Sequence, residues 1–324
     1  MIAPLVSVIL PVYNAELYVK ETIQSILNQT FSDFELIILN DGSTDKSEEI
    51  ISEFEDTRIR YFKNKINLKL IDTLNLGLDL ARGKYIARMD ADDIALPNRF
   101  AKQIHFLESN PEYGIVGSFA KTIGSTNLNL RYVEEDEDIR YALITHNPFI
   151  HSSVMLRNSI LLINNLKYNK EQLHVEDYAL WIHLLQYTKG KIMSDILIYY
   201  RTHIEQISVV NAKDQIINTQ KLQKNYLKKI GFCSDEINLV HSLLNKVELS
   251  SLALILGFQK IERLSVKLPF IEKRLQFLNL LILSASNQLF NKKKITFKEF
   301  FLLVRIKSTF TLKQKIAFLL KVFK

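Results

Sequence analysis

Strand-like and helix-like segments alternate through the N-terminal part of the chain, and no other feature restricts its fold as strongly. Apolar runs at Leu5–Leu10, closing on Pro11, and at Phe34–Leu39 read as buried strands. Arg58–Phe62 and Lys84–Arg88 read as two more. Between them lie helical patterns: Glu16–Gln29, with Val19, Ile23, Ile26 and Leu27 on one face, and a segment ending near Glu55 that Ser43 or Thr44 can cap. A third spans Lys69–Ala81 and is expected to close on Gly83. Such alternation predicts a mostly parallel, doubly wound sheet. Sheets of this kind bind ligands at the carboxyl ends of their strands. Tyr13, Asp41 and Asp90 all fall at those ends, so three distant segments are expected to meet in one crevice.

The fourth strand runs into Met89-Asp-Ala-Asp-Asp93. In extended chain, residues two apart point the same way, so Asp90 and Asp92 can converge on a hard cation, Mg²⁺ or Mn²⁺. Without a cation the two carboxylates would repel, and one would keep its proton. A solvated acidic turn ahead of a helix is the alternative. Arg88 and Arg99 flank the cluster and can orient its carboxylates by pairing.

Four segments together resemble the family 2 glycosyltransferases, whose nucleotide-sugar-binding fold is called GT-A. They are Pro11-Val-Tyr-Asn14, Asn40-Asp-Gly-Ser-Thr-Asp45, Ala81-Arg-Gly-Lys-Tyr-Ile-Ala-Arg-Met-Asp-Ala-Asp-Asp93 and Glu176-Asp-Tyr-Ala-Leu-Trp181. The resemblance runs over roughly residues 3–210 and is closest to the bacterial surface-polysaccharide type. It implies transfer of a sugar from a nucleoside diphosphate to a hydroxyl, with inversion and with Mn²⁺ or Mg²⁺ on the diphosphate. On that pattern Asp92 is the direct metal ligand, and Asp90 contacts ribose or metal. Asp41 accepts a hydrogen bond from the base, and Tyr13, beside Pro11 and Asn14, lies against it. Asp177 is the catalytic base, positioned by Glu176. Read without the family, acidic residues in a first helical turn are dipole complements, and Tyr13 could equally be a core aromatic. Tyr200-Arg-Thr-His203 resembles the segment that closes over the diphosphate, with Arg201 on phosphate and His203 on phosphate or metal. His151-Ser-Ser153 falls where relatives line the sugar or acceptor pocket; a polar turn before a strand explains it as well. Trp181 reads as helix packing. In one loop the chain departs from the family: Lys69 stands where glycine is frequent, and Leu74 where arginine is frequent.

Charge separates a second region. The formal net charge is +7, yet residues 213–324 hold 21 of the 42 Lys/Arg and only 7 of the 35 Asp/Glu. We therefore expect a catalytic domain over residues 1–212 and a basic, mainly α-helical domain over 213–324, with a hinge near 205–220. Helices are expected near 214–229, 235–245, 247–264, 270–290 and 297–322. Lys292-Lys-Lys294 and the Phe297 face that follows suit an anionic membrane surface, while ordinary packing on the catalytic domain is the alternative. The acidic first domain and the lack of a nucleic-acid motif argue against nucleic acid as partner. No apolar window is long enough to span a bilayer. Cys233 stands alone, so no intrachain disulfide is expected, and the first strand starts too early to leave room for a secretory signal. The expected partners are a nucleotide-sugar donor, UDP-linked first, and a saccharide or lipid-linked saccharide acceptor. The expected location is cytoplasmic, with peripheral contact at the inner membrane face. Transfer to a lipid phosphate, or a non-catalytic nucleotide-sugar-binding role, are the other readings.

Overall fold

The computed structural model describes residues 3–244 apart from 205 and 207–209. The chain divides into two compact units, Met1–Thr219 and Gln220–Lys324. The first contains β1 (Val6–Val12), α1 (Val19–Leu27), β2 (Phe34–Asn40), α2 (Ser47–Ser52), β3 (Ile59–Lys63), α3 (Leu70–Leu80) and β4 (Tyr85–Arg88). Then follow β5 (Ile94–Ala95), α4 (Arg99–Ser109), β6 (Tyr113–Gly124), β7 (Asn129–Leu130), α5 (Asp136–Ala142), a 3₁₀ turn at His151–Ser153 and β8 (Met155–Arg157). The unit is completed by α6 (Asn158–Ile163), α7 (Glu176–Leu184) and β9 (Lys189–Thr202). Helices Ala212–Lys229 and Ser234–Leu244 come next and match the two expected near 214–229 and 235–245. The other expected helices, the Lys292–Lys294 cluster and the Phe297 face lie outside the described residues.

The strands form one mixed sheet in the order β3-β2-β1-β4-β8-β6-β9-β5, with β7 added to β6. The parallel pairing expected from the strand–helix alternation holds from β3 to β4 and again between β6 and β9. β8 runs antiparallel to both β4 and β6. β1, β2 and β4 are buried along their whole length, which is why they read as mainly apolar runs rather than alternating ones. Val8, Leu10, Leu36 and Ile38 pack in one core cluster with Val19, Ile23 and Ile26 of α1 and Phe100 and Leu107 of α4. Each such side chain contributes about 1.5–3 kcal/mol on full burial. On the opposite face Ile9 and Leu39 press on α3 at Gly77, where an added Cβ would meet an Ile9 methyl at 2.5 Å.

Two local expectations fail for identifiable reasons. Neither Ser43 nor Thr44 caps α2. The helix starts at Ser47, whose N–H goes to Asp45 Oδ1 at 3.0 Å, while Ser43 Oγ accepts the N–H of Asn14 at 3.1 Å. Gly83 does not close α3 either. The helix ends at Leu80 with Ala81 extended, and Gly83 is small because a Cβ there would lie 2.5 Å from the Ser7 backbone nitrogen.

Register aligns the crevice. Val12 lies beside Asn40 and Ile9 beside Arg88, so Tyr13, Asp41 and Asp90 leave the sheet at the same end. Pro11 is buried inside β1 and not at its end. It lies past the last β1–β4 rung, where its missing N–H breaks no pairing with β4.

Candidate active site

The crevice is laced together by its own loops. Asn14, at φ 48°, accepts the Thr44 N–H on its side-chain oxygen at 2.8 Å. Asp41 is buried, and its carboxylate accepts three donors from one loop: Asn64 Nδ2 and Leu68 N on Oδ1 at 2.8 Å each, and Lys69 N on Oδ2 at 2.9 Å. Lys69 is thereby held at φ 74°, ψ 160°, a conformation that is essentially glycine-only. Tyr13 stands 49% exposed at the rim beside Asp41, which excludes it from the core.

The acidic turn after β4 is pinned from three elements. Thr22 of α1 donates to the carbonyls of Ala91 and Asp93, each at 2.9 Å. Ser152 of the 3₁₀ turn donates to Asp93 Oδ2, and the Arg201 N–H of β9 reaches Asp93 Oδ1 at 2.7 Å. Asp93 is thus wholly buried and committed to protein donors, whereas Asp90 and Asp92 remain partly exposed. Carboxylate oxygens of Asp90, Asp92 and Asp93 all lie within 4.8 Å of one another. Burial, and then the Asp90 charge, raise the proton affinity of Asp92 and raise that of Asp93 strongly. Hard oxygen donors at this spacing suit Mg²⁺ or Mn²⁺.

Arg88 is 3% exposed and forms an ion pair with Asp90. Among the described residues Arg99 forms no ion pair or hydrogen bond with a carboxylate. It donates to the Arg88 carbonyl at 2.9 Å and the Val154 carbonyl at 3.1 Å, tying β4 to the segment leading into β8. His203 Nε2 lies 2.9 Å from Asp92 Oδ2, and its ring packs on Tyr18 at 5.3 Å. The Arg201 guanidinium donates to the Asp92 carbonyl at 2.7 Å, pairs with Glu21 and stacks on Tyr18. It therefore buttresses the acidic turn directly. Tyr18, Glu21 and Thr22 carried no signal in the sequence beyond their place on α1.

Asp177 lies in the first turn of α7, directly after Glu176. Its Oδ2 accepts from Asn147 Nδ2 at 2.7 Å, and its Oδ1 accepts the Tyr178 N–H at 2.6 Å. Burial raises its pKa, opposed by the Tyr178 N–H and the nearby charge of Arg88. Glu176 is pushed up to about 7 by burial and then by Asp177. Trp181 is fully buried and packs on Phe149 and His151, as expected of a helix-packing residue. His151 Nε2 lies 2.9 Å from the hydroxyl of buried Tyr168, whose backbone N–H and carbonyl are both held by the Asn75 side chain at 2.9 Å. Tyr168 sits in the loop before α7, where nothing in the sequence marks it. Burial and the Arg88 charge push His151 well below the usual histidine range. The structure thus brings the acidic triplet, His203, Arg201, Asp177 and Glu176 to one end of the sheet.

Comparison with known proteins agrees with this geometry. The family model "Glycosyl transferase family 2" matches residues 7–164. A glycosyltransferase of Haemophilus influenzae, itself uncharacterized, is 36% identical over 257 residues, covering 74% of this chain and 80% of that protein. The Escherichia coli enzyme WfaP, a UDP-Glc:α-D-GlcNAc-diphosphoundecaprenol β-1,3-glucosyltransferase, is 30% identical over 238 residues, 70% of this chain and 87% of the enzyme. The crystal structure of S. aureus TarS 1–349 with UDP-GlcNAc superposes with a TM-score of 0.61 at 18% identity, covering 88% of this chain and 89% of that one. The chain belongs to glycosyl transferase family 2 and is a glycosyltransferase of GT-A fold.

Proposed function

We propose that the protein is an inverting, metal-dependent transferase that moves a sugar from a nucleoside diphosphate, UDP first, to a hydroxyl of a saccharide acceptor. The observation that carries this reading is the pairing of two carboxylate groups across one crevice. The Asp90–Asp92–Asp93 cluster lies within 4.8 Å on one side. Asp177, held by Asn147, lies on the other, near enough for Asp90 and Arg88 to act on its proton affinity.

The roles follow from charge. Breaking the glycosidic bond leaves negative charge on the diphosphate, and Mn²⁺ or Mg²⁺ held by Asp90 and Asp92 would neutralise it as a Lewis acid. His203 steadies Asp92 through its hydrogen bond and would be a further ligand or a phosphate donor. Arg201 and Ser152 keep the acidic turn in shape. Asp177 takes the proton of the acceptor hydroxyl as it attacks, and a raised proton affinity suits a general base. Glu176, beside it, is its positioning neighbour. Tyr13 offers an exposed ring to the base, and Asp41 shapes the loop that would cradle it.

For the acceptor we propose a lipid-linked saccharide, as the GlcNAc-diphosphoundecaprenol in the name of WfaP suggests, and for the setting bacterial cell-surface polysaccharide synthesis. The basic region beyond residue 212 then faces an anionic leaflet. Among the described residues no helix is long and apolar enough to cross a membrane. The test is a panel of UDP-, GDP- and dTDP-sugars assayed with Mn²⁺ for release of nucleoside diphosphate, with and without lipid-linked acceptors. Acceptor-stimulated release supports the reading. Donor binding without release would mark a binding protein, and release onto lipid phosphate alone would redefine the acceptor.

A further inference from the structure

Two arginines lie side by side at the carboxyl end of β4, and their surroundings differ. Arg99 is fully buried and every side-chain nitrogen has a partner: Nε to Gln103 Oε1 at 3.2 Å, Nη1 to Met89 Sδ at 3.3 Å, Nη2 to two carbonyls. That is how a structural arginine is buried. Arg88 is nearly as deeply buried, at 3% exposure; its Nη1 makes only the ion pair with Asp90, and its Nε has no hydrogen-bond partner among the described residues. A buried guanidinium donor left unfilled is costly, and such a group calls for an acceptor.

The position of Arg88 limits what that acceptor is. Its charge acts on Asp90 and Asp93 on the metal side of the crevice. The same charge is among those felt by His151, Tyr168, Glu176 and Asp177 on the base side. The transferred sugar must span the same interval, joined to diphosphate at one face of its anomeric carbon and attacked at the other. We propose that Arg88 is a donor-sugar-binding residue whose free Nε–H bonds a hydroxyl oxygen of the transferred sugar. The inference rests on the proposed function. Arg88 then recognises the sugar and not the nucleotide, while its ion pair keeps Asp90 in place.

The experiment compares affinities of UDP, UDP-glucose and UDP-GlcNAc, each with Mn²⁺, by calorimetry for wild type, Arg88→Lys and Arg88→Met. Loss of a charge-assisted hydrogen bond weakens binding about tenfold or more. That loss is expected for the UDP-sugar over and above any loss that UDP shares through the Asp90 ion pair. Lys keeps the charge without the planar fork and should recover part of the effect. Equal weakening of UDP and UDP-sugar would place Arg88 on the diphosphate and overturn the proposal, as would unchanged affinities. If Arg88→Met does not fold, a crystal structure of the wild-type Mn²⁺–UDP-sugar complex decides: a sugar oxygen within hydrogen-bond distance of Nε supports the proposal, and water or phosphate there contradicts it. Wild type that binds none of the three nucleotides would instead remove the UDP reading itself.

Discussion

The two ends of the central sheet handle buried carboxylates in opposite ways. At the amino ends of the strands Glu35 is buried, and its oxygens accept from Ser7 at 2.6 Å, Arg60 at 2.7 Å and Arg82 at 2.6 Å. Burial alone would raise its pKa, but these donors win and hold it at about 2. At the carboxyl ends Asp92, Asp93, Glu176 and Asp177 are all raised, because burial and mutual repulsion outweigh the donors available. One end is a closed structural network that stabilises the native state. The other is electrostatically unfinished, and a fold tolerates that where a ligand completes it. Substitution at the two ends should therefore move different quantities.

The largest effect is expected at the base. Asp177→Asn should lower turnover by about 10²–10⁴-fold while Mn²⁺-dependent donor affinity is kept. Calorimetry and single-turnover kinetics separate the two. Collapse of donor affinity with normal turnover at saturation would make Asp177 a donor ligand. In wild type, activity should fall as pH drops, because the raised base must be ionised to accept a proton.

Glu35→Gln should leave donor affinity unchanged and cost about 3 kcal/mol of stability at neutral pH. The sign follows from a folded pKa near 2 against 4.5 for the free side chain. Stabilisation by Glu35 is complete above pH 4.5 and is lost as pH falls towards 2. Urea melts of wild type and variant should therefore converge in that window.

Glu176→Gln should do the reverse. Its folded pKa of about 7 lies above the free value of 4.5, so the ionised form strains the fold and stability declines as pH rises through that interval. At pH 8 the variant should be more stable by up to about 3 kcal/mol, and slower in transfer. A destabilised Glu176→Gln would erase the contrast between the two ends.

The smallest effect concerns the nucleotide loop. Lys69→Gly should relieve the backbone strain at φ 74° and offset part of that gain through a freer unfolded chain, leaving about 1 kcal/mol of net stabilisation. Unchanged or lower melting temperature would mean that the loop is not strained in solution.

These contrasts also explain what the sequence could and could not disclose. Strand ends were legible because β1, β2 and β4 are buried on both faces and read as mainly apolar runs, interrupted only by Ser7 and Glu35 before they end at Val12, Asn40 and Arg88. Asp90 and Asp92 stood out through the short acidic motif after β4, whereas Asp177 stood out only through the family resemblance, since an acidic residue in a first helical turn otherwise reads as a dipole complement. Gly83 misled, since a glycine after a helix looks the same whether it closes the helix or makes room for Ser7. Asp93 passed as a bystander of the triplet, although Ser152 and Arg201 hold it from 59 and 108 residues away. Asn147 and Tyr168 were invisible for the same reason. Their roles come from contacts between remote segments, and neither periodicity nor motif spacing encodes those.

The most direct test of an unfinished carboxyl end is the affinity of the full-length protein for UDP, titrated with Mn²⁺ and again in excess chelator. If the Asp90–Asp92 cluster holds a cation on which the diphosphate sits, UDP should bind with Mn²⁺, lose most of its affinity in chelator and lose it equally in Asp92→Asn. Glu35→Gln should bind UDP as wild type does. UDP affinity that is the same with Mn²⁺, in chelator and in Asp92→Asn would contradict the metal-bound nucleotide site.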